Sequence, residues 1–261
     1  MKDLADEYYI RKIESFVSEN KRIDGRAQFD FREIKYKLDY IRNAEGSCYL
    51  ELGNTKVIAG IKIEAEEPLE SSEEGNLITN VELLPLASSE YEAGPPTPEA
   101  IELSRVIDRA IRSAKIIDSS NLLLEDNKVY SLYADIDVIN FDGNIFDAGV
   151  MALLLALKNT RIPKYENGEI IRNEIVGKLN IKGNVLSTTF VKINKTLLLD
   201  PNALEELAAS TRLTIATDGD RIRAMQKGLS GSLTIREIEN MIDISLEKYK
   251  DLSKIIDINK D

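Results

Sequence analysis

An α+β fold of two related halves is what this sequence predicts, on three observations. Strand-like segments, alternating apolar and polar at 34–40, 48–52 and 130–138 and apolar throughout at 57–61, recur in 29–63, 77–86, 130–140 and, interrupted by turns and one short helical run, 176–225. Strand-rich then helical order occurs twice, in 29–157 and again in 176–250. A run with helical apolar spacing, residues 3–19, precedes both. The chain then divides into an N-terminal helix extension (1–20), a first half (21–174) and a second half with a C-terminal helix (175–261).

The N-terminal helix rests on Leu4, Tyr8, Ile10, Ile13, Phe16 and Val17, with charges between them and Asn20 to end it. Arg22-Ile23-Asp24-Gly25-Arg26 follows as a polar turn whose glycine permits φ > 0. Ile34, Tyr36, Leu38 and Tyr40 alternate, 43–46 breaks the run, and Cys48, Leu50 and Leu52 alternate again. Gly53-Asn54 then turns the chain into the apolar strand 57–61. Six glutamates crowd 64–74, which reads as a solvated loop before a strand at 77–86.

Gly94-Pro95-Pro96-Thr97-Pro98 stops that strand, with Thr97 suited to N-cap and Pro98 to the first helical position. The helix that follows places Ile101, Val106, Ile107, Ala110, Ile111 and Ala114 on its apolar side. Arg105, Arg109 and Arg112 share another face. They read either as solvated side chains paired with Glu102 and Asp108, or as a basic strip that meets a polyanion.

A strand over 130–140 ends at Asp142-Gly143, and a helix starts near Asp147 and runs to Leu157. Residues 162–174, polar and holding Pro163 and Gly168, read as a loop or hinge. Strands are expected at 176–181, 185–193 and 196–199, then a turn at Asp200-Pro201-Asn202 into a short helical run, 203–209. Asp218-Gly219 makes a hairpin between 213–216 and 221–225. Thr234 and Glu237 form a capping box for a last helix from 235 to 249 or beyond.

Composition excludes several chemistries. With no histidine, Ser-His-Asp triads, Cys-His dyads and histidine-bearing zinc sites are impossible, and the single cysteine, Cys48, allows no internal disulfide. No run of 18 apolar residues exists, and the first residues lack a signal-peptide core, so a cytoplasmic protein without a membrane anchor is expected. A net charge of −11 argues against coating nucleic acid alone, but leaves room for a local basic patch or a site shared with a basic partner. Walker A, nucleophile-elbow, dinucleotide-binding and kinase motifs are absent from the sequence.

The chemically telling stretch is 141–157. A strand–turn–helix aims free N–H groups and a positive helix end at whatever precedes the helix, usually an anion. Yet 129–157 holds four aspartates (135, 137, 142 and 147) and no Lys or Arg, so a phosphate would meet like charge without a local guanidinium. This is a phosphate pocket filled by the chain's own Asp147. Asp200 and Glu206, six apart across a turn, suit a Mg²⁺ ion or acid–base work; alternatively Asp200 caps the short helix and Glu206 is exposed. Asp135 and Asp137 read as a solvated strand face, Asp218 and Asp220 as turn formers, and 228–232 as a Gly/Ser loop with only a weak anion-binding signal.

Five markers in order resemble the RNase PH family: Arg22-Ile-Asp-Gly-Arg26, the run Gly46 to Val57, Ile101 to Ile111, Asp142-Gly-Asn to Ala148, and Leu199-Asp-Pro. The resemblance covers nearly the whole chain and is closest to the catalytically silent ring subunit of the archaeal exosome. It implies an RNase PH-type fold of two βαβ-containing halves, the first ribosomal protein S5 domain 2-like. Active members cut RNA from its 3′ end with inorganic phosphate. They need a Gly followed by hydroxyl and arginine residues, where this chain has Asn144, Ile145, Phe146 and Asp147. They need two arginines ahead of the long helix, where Pro96, Thr97 and Pro98 stand. Their third element, two aspartates six apart, corresponds to Asp200 and Glu206.

The resemblance therefore implies a subunit with no catalytic residues of its own, degenerate at Asp147, Asp200 and Glu206, without metal or cofactor. It implies alternation with a catalytic relative in a hexameric ring, a trimer of heterodimers, capped by RNA-binding subunits with S1-type domains. RNA would be held at the shared interface by Arg109 and Arg112, with Arg105 behind them. The competing expectation is an independent phosphate-dependent 3′–5′ exoribonuclease using Asp200 and Glu206 with Mg²⁺.

Overall fold

The computed structural model describes residues 4–68, 75–118, 122–125 and 127–257. From the N-terminus come α1 (Leu4–Ser18), β1 (Ile34–Leu38), β2 (Gly46–Leu52), β3 (Thr55–Glu66), β4 (Asn76–Leu83) and α2 (Pro98–Ala114). Next are β5 (Val129–Asn140), α3 (Ile145–Lys158), β6 (Arg161–Glu166), β7 (Glu169–Lys178), β8 (Leu186–Ile193) and β9 (Thr196–Leu199). Last are α4 (Ala203–Ala208), β10 (Thr211–Thr217), β11 (Ile222–Gly228) and α5 (Ile235–Ile255).

The first sheet has the order β1-β2-β3-β5-β4, antiparallel except that β4 and β5 run parallel, joined through α2. The second has the order β11-β10-β8-β9. There β9 and β10 are both antiparallel to β8, so α4 crosses over between two parallel strands with β8 inserted. Each half therefore contains a βαβ unit, adjacent in one and split in the other. Helix α3 lies between the sheets, packing on β2 and β3 at one flank and on β8 at the other. Every residue from Ile145 to Leu157 is buried, which explains why α3 is apolar all round rather than on one stripe. The main core joins the halves: Val185, Leu186 and Ala216 belong to the same cluster as Leu50, Ile61 and Ile136. No helix among the described residues is long and apolar enough to cross a membrane.

Local signals fix the helix ends. Thr97 accepts a bond from the Ala100 N–H at 3.2 Å with Pro98 at the first position, and the Thr234/Glu237 capping box is formed. The buried stripe of α2 is Ala100, Leu103, Val106, Ile107, Ala110, Ile111 and Ala114. Ile101, expected inside, is 47% exposed, because Leu103 rather than Ile101 shares the stripe of Val106 and Ile107.

Two expectations, for 162–174 and for 64–74, are corrected. Residues 162–174 are not a loop: they form most of the hairpin β6–β7, turned by Asn167 and Gly168, both at positive φ (53° and 87°). Such a turn matches the twist of the flanking strands, so Asn-Gly closes a hairpin rather than opening a hinge. The division between 174 and 175 consequently falls inside β7. Residues 22–29, assigned to the first half, run along the second sheet, where Leu199 N–H donates to the Gln28 carbonyl and Phe29 packs edge-on to Phe190. The glutamate-rich stretch divides too: Glu64 and Glu66 end β3, while 69–74 lie outside the described residues.

Candidate functional site

The turn between β5 and α3 presses against the turn between β9 and α4, and Asn144 gathers the acids of both. Asn144 is the N-cap of α3 in the left-handed conformation (φ 54°, ψ 48°). Its backbone N–H donates to Glu206 Oε1 at 2.9 Å. Its Nδ2 donates to Asp147 Oδ2 at 2.8 Å and to Asp200 Oδ1 at 2.7 Å. The three acids separated along the sequence thus meet around one asparagine, two at its side-chain amide and one at its backbone N–H.

Asp147 is fully buried, as an anion filling this position must be, and is satisfied by donors alone. Ser187 Oγ (2.6 Å) and Thr189 Oγ1 (2.9 Å) donate to its Oδ1, and Thr189 N–H (2.7 Å) to its Oδ2. Burial pushes its carboxyl up to about 6, against the pull of Ser187 and Asn144. The hydroxyl and amide groups that β8 offers to an anion at the start of α3 are all taken by a side chain of the helix itself.

Asp200, also fully buried, is held by arginines. Arg32 Nε and Nη2 bind its two oxygens at 2.9 and 2.8 Å, the Arg32 N–H adds 2.8 Å, and Arg26 Nη1 adds 2.9 Å. Burial raises the Asp200 carboxyl, but the Arg32 guanidinium outweighs it and holds the acid below the usual range. Arg32 also donates to the carbonyls of Asp142 (2.6 Å), Gly143 (3.3 Å) and Pro201 (3.3 Å), stitching the two turns together. Arg22 completes the set, buried against Glu205 and donating to the Leu199 and Asp200 carbonyls at 2.8 and 2.9 Å. Asp200 does not cap α4, as one expectation had it; Asn202 does, in a capping box with Glu205. Both oxygens of Asp200 serve guanidinium groups, and no group of three metal-ligating side chains occurs among the described residues.

Glu206 is not the exposed acid of that expectation. Burial pushes its carboxyl up to about 7, opposed by Arg212 and Arg32 and reinforced by Glu99. The folded chain therefore holds a proton near neutrality that the unfolded chain releases above its ordinary value of 4.5. Because the folded form binds more protons, this group's contribution to stability falls as pH rises from about 4.5 to about 7. Glu206→Gln keeps an acceptor for the Asn144 N–H and removes the titration. Its urea midpoint should gain on the parent between pH 5 and pH 8 by the equivalent of about 2 kcal/mol. A parallel pair of profiles would refute this.

The arginines of α2 border a cleft of about 570 Å³ beside β4, lined by Thr79, Ser104, Arg105, Asp108, Arg109 and Arg112. They are not equivalent. Arg112 is anchored, with Nε and Nη2 on Asp108 at 3.1 and 3.0 Å and Nη2 on the Leu77 carbonyl at 2.6 Å. Among the described residues the Arg109 side chain makes one neutral bond, to Gln226 Oε1 at 3.1 Å. Arg105 is exposed and has no hydrogen-bond or acid partner among the described residues. Glu102, the other expected partner, turns instead to Arg212 of β10 at 2.7 Å, whose guanidinium lies 4.2 Å from the Phe146 ring centroid. Asp135 and Asp137 sit on the outer face of β5, and Asp218 accepts bonds from the Asp220 and Arg221 N–H groups of its own turn.

The chain matches both domains of one family along its length: domain 1 of the 3′ exoribonuclease family over residues 30–163 and domain 2 over residues 183–248. It belongs to the RNase PH family. This RNase PH chain is 44% identical over 249 residues to the exosome complex component Rrp42 of Thermoplasma acidophilum, covering 93% of this chain and 94% of that protein. To the exosome complex component Rrp42 of Methanothermobacter thermautotrophicus it is 40% identical over 261 residues, covering 98% and 96%. A chain of the Archaeoglobus fulgidus exosome with RNA bound to the active site superposes with a TM-score of 0.91 at 34% identity, covering 97% of this chain and 99% of that one. A chain of an archaeal exosome core gives 0.87 at 31% identity, covering 98% of each.

Sequence reasoning named Asp147, Asp200 and Glu206 of this RNase PH chain but missed what binds them. Ser187 and Thr189 carry no local mark, since only pairing of β8 beside α3 brings them to Asp147. Arg32 lies 168 residues from Asp200 in a stretch without a motif. Arg22 and Arg26 were visible only as part of a family marker.

Proposed function

We propose that this chain is a non-catalytic component of an archaeal exosome, a phosphorolytic 3′–5′ RNA-degrading complex. In this reading it alternates with a catalytic RNase PH-type subunit in a hexameric ring of three heterodimers. It structures the partner's active site and contributes to RNA binding where they meet, and caps with S1-type domains deliver RNA to the cytoplasmic assembly.

One observation carries the proposal: the place at the start of α3 suited to an attacking phosphate is occupied by Asp147, which takes the donors of Ser187, Thr189 and Asn144. Without a positioned phosphate there is no nucleophile, and positioning and charge stabilisation supply most of the rate in such chemistry. The guanidinium groups near Asp200 do not change this, because they are spent on its carboxylate and on turn carbonyls. What stays open is the arginine cleft on α2, a surface for RNA phosphates rather than a reaction centre.

Two measurements test the proposal. The purified chain, given 3′-tailed RNA, phosphate and Mg²⁺, should release no nucleoside diphosphate, whereas its mixture with a catalytic ring partner should; release at matching rates by the chain alone overturns it. In the assembled complex, Arg109→Ala with Arg112→Ala should weaken RNA binding and flatten its dependence on salt by about one unit of slope for each phosphate no longer held. Arg105→Ala should weaken binding further. An unchanged salt slope would reduce the chain to a scaffold.

A further inference from the structure

The five-stranded sheet turns one face toward α3 and the other outward. The outward face carries Tyr49 and Glu51 of β2, Lys56, Ile58, Gly60 and Lys62 of β3, and Asp135 and Asp137 of β5. Among the described residues none packs over Gly60 at its middle: a Cβ built there would meet no atom within 4 Å. The charge on this face is divided. Toward β4 it is acidic, with Glu82 beside Asp135 and Asp137, whose carboxyls burial and Glu82 push upward. Toward the free edge, β1, it carries the Tyr40–Tyr49 pair, with Glu33 and Glu51 matched by Lys35 and Lys56 and with Lys37 beside them.

At that edge Tyr40, just past the end of β1, stacks on Tyr49 with ring centroids 5.0 Å apart and planes 24° from parallel. Tyr40 remains 45% exposed, so the stack ends in a ring that solvent reaches. Lys37, directly across from Tyr49 in the β1–β2 register, holds its Nζ 5.9 Å from the Tyr40 centroid. Arg42 follows two residues after Tyr40 and is exposed, as is Ile41 at 40%. Neighbouring charges are matched internally: Lys35 with Glu33 at 2.9 Å, Lys56 with Glu51 at 3.5 Å. Lys37 and Arg42 have no acidic partner among the described residues, in a chain whose net charge is −11. An aromatic ring already backed by a second ring loses little freedom when a third flat group stacks on it, and nearby cations without an acid partner suit the phosphates flanking a base. Aromatic side chains displayed on a sheet face beside cations are a general means of holding unpaired bases.

We propose that Tyr40, backed by Tyr49 and flanked by Lys37 and Arg42, is a second contact for single-stranded RNA, remote from the α2 cleft. It rests on the reading of the chain as an RNA-handling subunit. The edge binds by stacking one or two bases without regard to their identity, and the acidic half of the same face limits the footprint to the β1–β2 side. The α2 arginines lie beside β4, the opposite edge of this sheet, so one strand of RNA does not need both contacts for either to be measured.

The test uses the full chain assembled with its catalytic partner and a fluorescent U-rich RNA, read by anisotropy across a salt series. Tyr40→Ala should weaken binding about tenfold, and Tyr40→Phe, which keeps the ring, should bind as the parent does. Lys37→Ala should lower the salt slope by about one. RNA carrying 4-thiouridine should cross-link to the peptide that holds Tyr40. Equal thermal melting of parent and variants certifies folding, which the exposure of Tyr40 and Lys37 makes the expected result. Parental affinity in Tyr40→Ala, with the complex intact and releasing nucleoside diphosphate, overturns this inference and leaves the proposed function standing. Failure of the unmodified chain to assemble with the partner overturns the proposed function itself. Loss of assembly in Tyr40→Ala alone would make the edge a protein contact and also overturn the inference.

Discussion

Arg32→Ala is expected to lower the unfolding free energy by about 3–5 kcal/mol, the range for removing one partner of a buried ion pair. The Arg32 side chain is 8% exposed and that of Asp200 is 0% exposed. Truncation leaves the carboxylate to Arg26 and Asn144, and it strips the Asp142, Gly143 and Pro201 carbonyls of their shared donor. Urea unfolding should show the midpoint falling with an unchanged slope, the signature of lost stability rather than an altered unfolded state. Arg32→Lys should recover only part of the loss, since an ammonium restores charge but not the planar fork that reaches both oxygens of Asp200. A midpoint for Arg32→Ala equal to the parent's would show that the clamp adds nothing to stability.

Gly143→Ala should cost about 3 kcal/mol, from backbone strain and a clash acting together. Gly143 sits at φ +78°, and a Cβ there would lie 2.5 Å from the Asn202 carbonyl carbon, 2.6 Å from the Pro201 oxygen and 2.7 Å from the Ala203 nitrogen. All three are main-chain atoms, so no side chain can swing aside, and the two turns must separate. Gly60→Ala is the control: with open space around it, it should change stability by no more than about 0.5 kcal/mol. Equal midpoints for the two variants would show that the turns have more slack than the geometry allows.

The contrast between these positions shows what a sequence discloses. Helix starts were legible because a cap acts over three residues: Thr97 on Ala100, Thr234 on Glu237. The acid at the start of α3 was legible for the same reason, and so was the missing cation beside it. The hairpin β6–β7 was equally legible, since Asn167-Gly168 is a strong turn signal, but the polar composition of 162–174 outweighed it. Ile101 misled because its spacing fits a helical stripe about as well as that of Leu103, and only the position of the sheet decides between them. Arg32 and Thr189 were not legible at all, because their partners are chosen by how two distant turns meet and not by any neighbour in the chain.

The burial of α3 on both flanks bears on how the protein is made. When a ribosome has delivered the first 174 residues, one side of α3 has its sheet while the other, meant for β8, has none. Residues that later cover it, including Val185, Leu186 and Ala216, are still to come. Until they emerge, the flank of α3 that faces β8 lacks its cover, so the first half cannot bury its central helix completely before the second half is made.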